Sequence, residues 1–389
     1  MPKYKQILES SIKNLRSSMT ELSLDQFLAS TIDSLMEMER GEYLEQANDK
    51  GNGFYGRAFN SLSKNCLKIS VPRTRTGEFS PNTLELVKIS QERVNELCLS
   101  MYKKGMTSRD ISDLIKEMFG EGVSATKITN LTKVFHKFRE AWERSQLEKR
   151  YLAMFCDCIF ITVRRGASYS REAVYVAYGV RTDFKREILV LSINPTEASS
   201  EWGQLFLKLK KRGVTKIDLI IADGISGLEE EIHQIFPGTK FQKCVVHKMR
   251  NILNKTRPKD KTEMAEDLKK IFDNFSEEAT VKKALKKVTE ICEKWKDSYP
   301  SLDRFFSEET IEYYFTYIEF NAKVRRMIYT TNSIENINRI IRKATKNKLS
   351  FESPESLLNY VFMITKEFEE KNFMQFPVSS FRYFMADTI

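Results

Sequence analysis

Along the chain the spacing of apolar side chains changes character several times. Up to about residue 50, positions such as Ile7, Ile12, Leu15, Leu24, Phe27, Ile32 and Leu35 recur at helical spacing. The stretch DKGNGFYGRAFNSL is then rich in turn formers, and LKISVPRTRTGEFSP alternates briefly before Pro72 and Gly77 interrupt it. Successive helices are predicted over 88–141: SQERVNELCLSMYKKG closed by Gly105, MTSRDISDLIKEMFG opened by Thr107 or Ser108 and closed by Gly120, and VSATKITNLTKVFHKFREAW opened by Ser124. This order is that of a helix-turn-helix unit, whose third helix would present Ser124, Thr126, Lys127 and Asn130 to a major groove.

From Tyr151 the pattern becomes that of strands. YLAMFCDCIFITVRR, EAVYVAYGVR and REILVLSIN predict an antiparallel meander. A helix ending at Gly213 follows, then strand KIDLIIA, helix SGLEEEIHQIF with Ser226 and Glu229 as a capping box, and strand KFQKCVV. Residues 252–320 read as charge-balanced helices, and a last helical region covers 332–372. The fold class expected is α/β: an RNase H-like mixed-sheet core interrupted by an all-α insertion and preceded by mostly helical N-terminal DNA-binding domains. The expected divisions are 1–50 (a helical element for packing or oligomerisation), 51–148 (DNA binding), 149–251 (first part of the core), 252–325 (insertion) and 326–389 (remainder of the core).

Composition narrows the class. Of 389 residues, 30% are charged and 41% hydrophobic, as in ordinary globular chains. The absence of an apolar run of about 18 residues argues against a transmembrane helix, and MPKYKQILESSIKNLRSS lacks the features of a signal peptide. Six scattered cysteines fit a reducing cytoplasm better than a disulfide scaffold. The net charge of +10 is uneven: residues 51–150 hold 18 basic and 11 acidic residues, whereas 1–50 hold 6 and 9. That excess suits a polyanion such as DNA, and it also suits a merely basic surface. Arg73 and Arg75 flank the break at Pro72 and Gly77, placed for phosphates or simply on a charged loop.

Three acids stand out. Asp157 is the one charged residue between Tyr151 and Val163, where an ionised carboxylate costs several kcal/mol unless compensated. It is either a hydrogen-bonded structural group or a functional one. Asp223 ends a strand at the usual ligand edge of an α/β sheet, although alone it reads as an Asp-Gly turn. If the two strands are neighbours, the carboxylates converge, and Mg²⁺ or Mn²⁺ would resolve their repulsion. Glu335, in YTTNSIENINRIIRKATKNK, would complete a site for two ions; the competing reading is a capping box with Asn332. Asn338, Arg339, Arg342 and Lys346 follow at helical spacing from Glu335, a basic stripe with a carboxylate at its head.

DGISGLEEEI with FPGTKFQKCVVHKMRN, YTTNSIENINRIIRK and SMYKKGMTSRDISDLI resemble the Mutator-type transposases of bacterial insertion sequences, over about residues 50–370. The resemblance implies a DDE transposase with an RNase H-like core, in which Asp157, Asp223 and Glu335 form the catalytic triad and the upstream domains bind terminal inverted repeats. It also implies a helical insertion between the second and third acids. Cys156 and Cys158 around Asp157 depart from the pattern of relatives, which usually carry Ala after the acid. Cys244-x-x-His247 marks the neighbourhood of the active site in that family. Zinc binding there would require Cys156 and Cys158 as further ligands; the preferred reading is that Cys244 and His247 support the acids or approach DNA. His136 and His233 read as structural or exposed, and Trp295 as a base-stacking or helix-packing residue.

The expectation is therefore a metal-dependent transposase that cleaves DNA and joins a 3′-hydroxyl to target DNA, with double-stranded transposon ends and target as partners. Joining two ends requires at least a dimer. Arg73, Arg75, Ser124, Thr126, Lys127, Asn130, Arg164, Arg165, Arg250, Asn251, Asn338, Arg339, Arg342 and Lys343 are the candidate DNA contacts. A nuclease without strand transfer and a non-catalytic helix-turn-helix protein are the alternatives.

Overall fold

The structure is a computed structural model that describes residues 24–60, 66–119, 123–306, 311–346, 348 and 350–384. Ile7, Ile12, Leu15 and Gly120 lie outside the described residues. The chain divides into two units, Met1–Val134 and Phe135–Ile389, and the division falls inside a helix instead of near residue 148.

The first unit begins with α1 (Leu24–Gln46), β1 (Gly51–Asn60) and β2 (Cys66–Thr74). The two strands form an antiparallel hairpin, with Phe59 opposite Leu67 and Tyr55 opposite Val71. Glycine content alone argues for turns here. A strand forms because positive φ is needed only at Gly53 (66°), at a shift of register between Gly51 and Phe54. Met36 of α1 packs against Phe59, Leu67, Ile69 and Val71, so one hairpin face is core.

α2 (Asn82–Lys103), α3 (Ser108–Phe119) and α4 (Ala125–Arg144) follow. Their second core joins Val94, Cys98, Ile111, Ile115, Val123 and Ile128. The predicted punctuation holds. Gly105 takes φ 98°, Thr107 and Asp110 cap α3 reciprocally, and Ser124 Oγ accepts from Lys127 N at 3.2 Å. Each such cap stabilises its helix by about 0.5–2 kcal/mol.

The second unit is built on a five-stranded mixed sheet, ordered β5 (Arg186–Asn194), β4 (Ser168–Arg181), β3 (Arg150–Arg165), β6 (Lys216–Ala222), β7 (Lys240–Lys243). β3, β4 and β5 are antiparallel neighbours, as the meander predicts, and β6 runs parallel to both β3 and β7. Alternation along each strand feeds two faces. Cys156, Tyr175 and Ala177 join Trp202 and Phe206 of α5 (Ser199–Lys211) and Ile232 of α6 (Leu228–Ile235). On the opposite face Phe155 stacks on Tyr178 at 4.9 Å, and Tyr178 meets Phe373 at 5.0 Å. The capping box expected from Ser226 and Glu229 is not formed: Gly227, at φ 78°, is the N-cap of α6 and no side chain caps the helix.

After α7 (Val245–Lys255) come α8 (Lys261–Phe272), α9 (Val281–Trp295), α10 (Leu302–Phe306), two 3-10 turns and α11 (Ala322–Ile328), with no strand among the described residues of this insertion. Trp295 is a packing residue: it is buried, and its Nε1 donates to Asp267 Oδ2 at 2.9 Å. α12 (Asn332–Thr345) and α13 (Pro354–Phe368) return to the sheet.

Candidate active site

β3 and β6 pair in parallel from Arg150↔Lys216 to Phe155↔Ile221. Two residues further on, the same register sets Asp157 beside Asp223 with both side chains on one face. β6 stops there because Asp223 closes a turn on itself: Gly224 N donates to Asp223 Oδ1 at 2.7 Å, and Ile225 N to Asp223 O at 2.9 Å. The Asp-Gly turn is therefore real, and it leaves the other carboxylate oxygen for other work. β3 continues past the end of β6 to Arg165, still paired with β4, and Arg164 N donates to Phe351 O at 2.8 Å.

Two helix N-termini complete the site. Cys244 N donates to Ala222 O at 2.8 Å, which places the first turn of α7, with His247, at the same sheet end. Val245 N donates to Tyr329 O at 3.1 Å, and Thr331 N and Oγ1 donate to Cys244 Sγ at 3.4 and 3.2 Å. These contacts fix the start of α12 against α7. α12 itself is held by Ile334, Ile337 and Ile341, all buried, each stabilising by roughly 1.5–3 kcal/mol. Glu335 then points into the pocket. The alternative, a capping box of Asn332 with Glu335, is not realised, since the N-cap is Thr331 and no side chain caps the helix.

The result is a cavity of about 870 Å³ lined by Asp157, Cys158, Phe160, Glu197, Asp223, His247, Arg250, Asn332, Glu335, Asn336, Arg339 and Arg342. All three predicted acids are in it. His247 stands between two of them, Nδ1 at 3.6 Å from Asp223 Oδ1 and Nε2 at 3.9 Å from Glu335 Oε1. Arg250 Nη2 is 3.3 Å from Glu335 Oε1.

The electrostatics follow from burial and crowding. Burial pushes the Asp157 carboxyl up to about 6; His247 and the Cys158 N–H pull it down, while Asp223 and Glu197 raise it further. His247 is raised to about 9, first by Cys244 beside it and then by Asp223 and Asp157, against desolvation. The shift favours the imidazolium, a cation set among carboxylates. Glu197 is also raised by burial, although the Cys158 thiol donates to it.

Glu197, a fourth acid, was not among the predicted site residues. It lies in the loop after β5, in INPTEASS, where no periodicity marks it. Asn338 is a correction: expected among DNA contacts, it is fully buried and donates through Nδ2 to Asp157 Oδ2 at 2.7 Å. Arg339, Arg342 and Lys343 are exposed as expected, as are Arg73, Arg75, Ser124, Thr126, Asn130, Arg164 and Asn251. Lys127 is half-buried. Arg165 is exposed but bound bidentately to buried Glu172, at 2.7 Å for each bond.

The donor chemistry suits a hard divalent cation, since oxygen ligands from four carboxylates face one cavity. The side chains do not form a ready cage. Among the described residues no three His, Cys, Asp or Glu groups stand close enough to hold one ion, and His247 fills the gap between Asp223 and Glu335. The cysteines of the zinc alternative have other partners, Thr331 for Cys244 and Glu197 for Cys158.

Acids within the cavity and arginines among its lining fit a protein that handles a phosphate backbone. The chain belongs to the Mutator family of transposases: it matches the family described as "Transposase, Mutator family" over residues 3–375. It is 30% identical to the transposase for insertion sequence element IS905 of Lactococcus lactis subsp. lactis, over 83% of this chain and 80% of that protein. It is 27% identical to the transposase for IS1201 of Lactobacillus helveticus, over 86% and 91%. The transposase for IS256 in transposon Tn4001 of Staphylococcus aureus is 29% identical, over 82% and 83%. No helix among the described residues is long and apolar enough to cross a membrane.

Proposed function

We propose that this transposase binds the terminal inverted repeats of an insertion sequence and performs strand cleavage and 3′-hydroxyl strand transfer in the pocket of Asp157, Asp223 and Glu335. The supporting observation is their convergence: acids separated by 66 and 112 positions in the numbering of the chain line one cavity. The strand order β5-β4-β3-β6-β7 supports an RNase H-like reading of the sheet. The α2–α4 core and the capped start of α4 support a helix-turn-helix reading of the first unit.

Asp157, Asp223 and Glu335 would hold Mg²⁺ or Mn²⁺, two ions per site, with Glu197 as a further oxygen donor. The bound ions supply Lewis-acid charge for in-line attack at a phosphodiester and for the departing oxygen. The chain's own groups do the rest. His247 and Arg250 balance the acids' charge, and Arg339 and Arg342 line the cavity where phosphates would lie. Exposed Ser124, Thr126 and Asn130 on α4, with Lys127, would read the ends, and Arg73, Arg75, Arg164, Asn251 and Lys343 would contact backbone. Two ends must be paired, so the working assembly is at least a dimer on DNA.

The test uses pre-cleaved end DNA, a target plasmid and Mg²⁺. Joined products are expected from wild type, and none from Asp157→Ala, Asp223→Ala or Glu335→Ala. Cleavage without joining would make the protein a nuclease, and joining that survives all three substitutions would remove the acids from the chemistry.

A further inference from the structure

α12 has a buried stripe of Ile334, Ile341 and Thr345, with Ile337 alongside, and Asn338 sits within it at 0% exposure. Its Nδ2 donates to Asp157 Oδ2 at 2.7 Å, while its Oδ1 is buried with no hydrogen-bond partner. A buried acceptor left unmet costs a fold about 1–3 kcal/mol. An apolar side chain of the same shape would avoid that cost among these isoleucines, so the fold gains little from an amide here.

Asp157 gains more. Its Oδ1 accepts from Cys158 N at 2.9 Å and its Oδ2 from Asn338, so donors on both oxygens fix the rotation of the carboxylate. Asn338 also stands one turn beyond Glu335 on the same helix. One hydrogen bond therefore sets the orientation of the first acid and ties it to the helix that carries the third.

We propose that Asn338 is a positioning residue, which holds the Asp157 carboxylate in its working orientation relative to Glu335 without touching DNA. The proposal rests on the reading of Asp157 as a catalytic acid. Side chains held in place before substrate arrives are what such chemistry requires, and a misplacement of about 1 Å costs on the order of 100-fold in rate.

Asn338→Leu keeps the shape and removes the donor. Cleavage of end DNA is measured at saturating DNA, well below the variant's own melting midpoint, beside DNA affinity and Tm. The expected result is a rate lowered by about 100-fold, with affinity within about twofold of wild type and Tm equal or higher. A rate within twofold of wild type overturns the proposal. So does a loss confined to DNA affinity, which would return Asn338 to the DNA contacts, and so does a lowered Tm with an unchanged rate, which would make its role structural. Should the leucine variant not fold, Asn338→Ser, too short to reach Asp157 and able to admit water, takes the same measurements with the same criteria. Asp157→Asn serves as the control. Cleavage that persists in it refutes the catalytic reading of Asp157, whereas its loss beside a fully active Asn338→Leu refutes the role of Asn338 alone.

Discussion

Between Asp49 and Glu78 the chain carries six basic residues and no acid, whereas between Tyr151 and Val163 it carries one acid and no base. Both stretches fold into antiparallel strand pairs, β1 with β2 and β3 with β4. In the first pair, Arg57, Lys68, Arg73 and Arg75 are exposed, and the Arg57 and Arg73 guanidiniums lie 5.0 and 5.8 Å from the ring centroids of Phe59 and Tyr55. Such solvated charges cost little to keep, and each contributes little alone. In the second pair, Asp157 follows six buried residues from Tyr151 to Cys156, and burial resists its ionisation. The contrast separates two tasks. On the proposed function, affinity for a polyanion is spread over many exposed cations, and chemistry rests on a few acids, of which the fold holds Asp157 at a cost.

The sharpest way to break this contrast is to neutralise the acids of the proposed triad. Asp157→Asn, Asp223→Asn and Glu335→Gln should each lower cleavage by on the order of 10³-fold or more, with end-DNA affinity little changed. Asp157→Asn should also stabilise the protein. The folded carboxyl titrates at about 6 against 3.8 unperturbed, so its contribution is fully present below about pH 4 and is lost as pH rises through about 6. Above that pH the asparagine variant should be the more stable, by up to roughly 3 kcal/mol. Thermal melts of both proteins from pH 4 to 8 decide it: midpoints that stay parallel would show that Asp157 is not held at a cost.

The opposite manipulation removes exposed charge. With Arg57, Lys68 and Arg73 all changed to Ala, end-DNA affinity should fall by about tenfold or more, and the salt slope should drop by about 0.9 for each phosphate no longer neutralised. Cleavage at saturating protein should be unchanged. An unaltered slope would mean that the hairpin faces solvent only.

The two regions also differ in how much of each is legible in the sequence. Asp157 is visible because a lone charge in an apolar strand has no bland neighbours to hide among. Asp223 reads as a turn, which it also is, and only its register with Asp157 gives it a second role. The spacing that marks Glu335, Arg339 and Arg342 misplaces Asn338. At roughly 100° per residue, Asn338 is about 60° from Glu335 but only about 40° from Ile334, so it belongs to the buried stripe. The hairpin β1–β2 is hidden by glycines that signal turns but here adopt strand geometry, apart from Gly53. Glu197 leaves no local trace, because its partner Cys158 is 39 positions away and meets it only in the folded sheet.

A smaller effect is expected from Cys244, which links the two helix starts. Cys244→Ala removes the acceptor of two Thr331 hydrogen bonds, a loss of about 1–3 kcal/mol, together with the thiol that raises His247. The pH dependence should move with it. His247 is raised to about 9 from 6.5, so the stability it contributes is fully present below about pH 6.5 and is lost as pH rises through about 9. Without Cys244 the loss should be smaller and complete at lower pH, and NMR titration of the imidazole would follow it directly. An unshifted imidazole would assign its elevation to Asp223 and Asp157 alone.

The smallest expected change sharpens the contrast most closely, since it concerns a half-buried acid outside the proposed triad. Glu197 lines the same cavity, and burial raises its carboxyl as it does that of Asp157. Yet it reaches the site from a loop, it accepts from the Cys158 thiol, and it lies on the side of β3 occupied by Cys158, opposite the Asp157 face. If position and not mere burial selects the working acids, Glu197→Gln should lower cleavage by less than about tenfold, while loss of a triad member costs on the order of 10³-fold. It should also raise the melting midpoint slightly at neutral pH, because the amide carries no charge to desolvate. A loss as large as that of Glu335→Gln would place four acids in the chemistry and make the register of Asp157 and Asp223 an insufficient account of which carboxylates act.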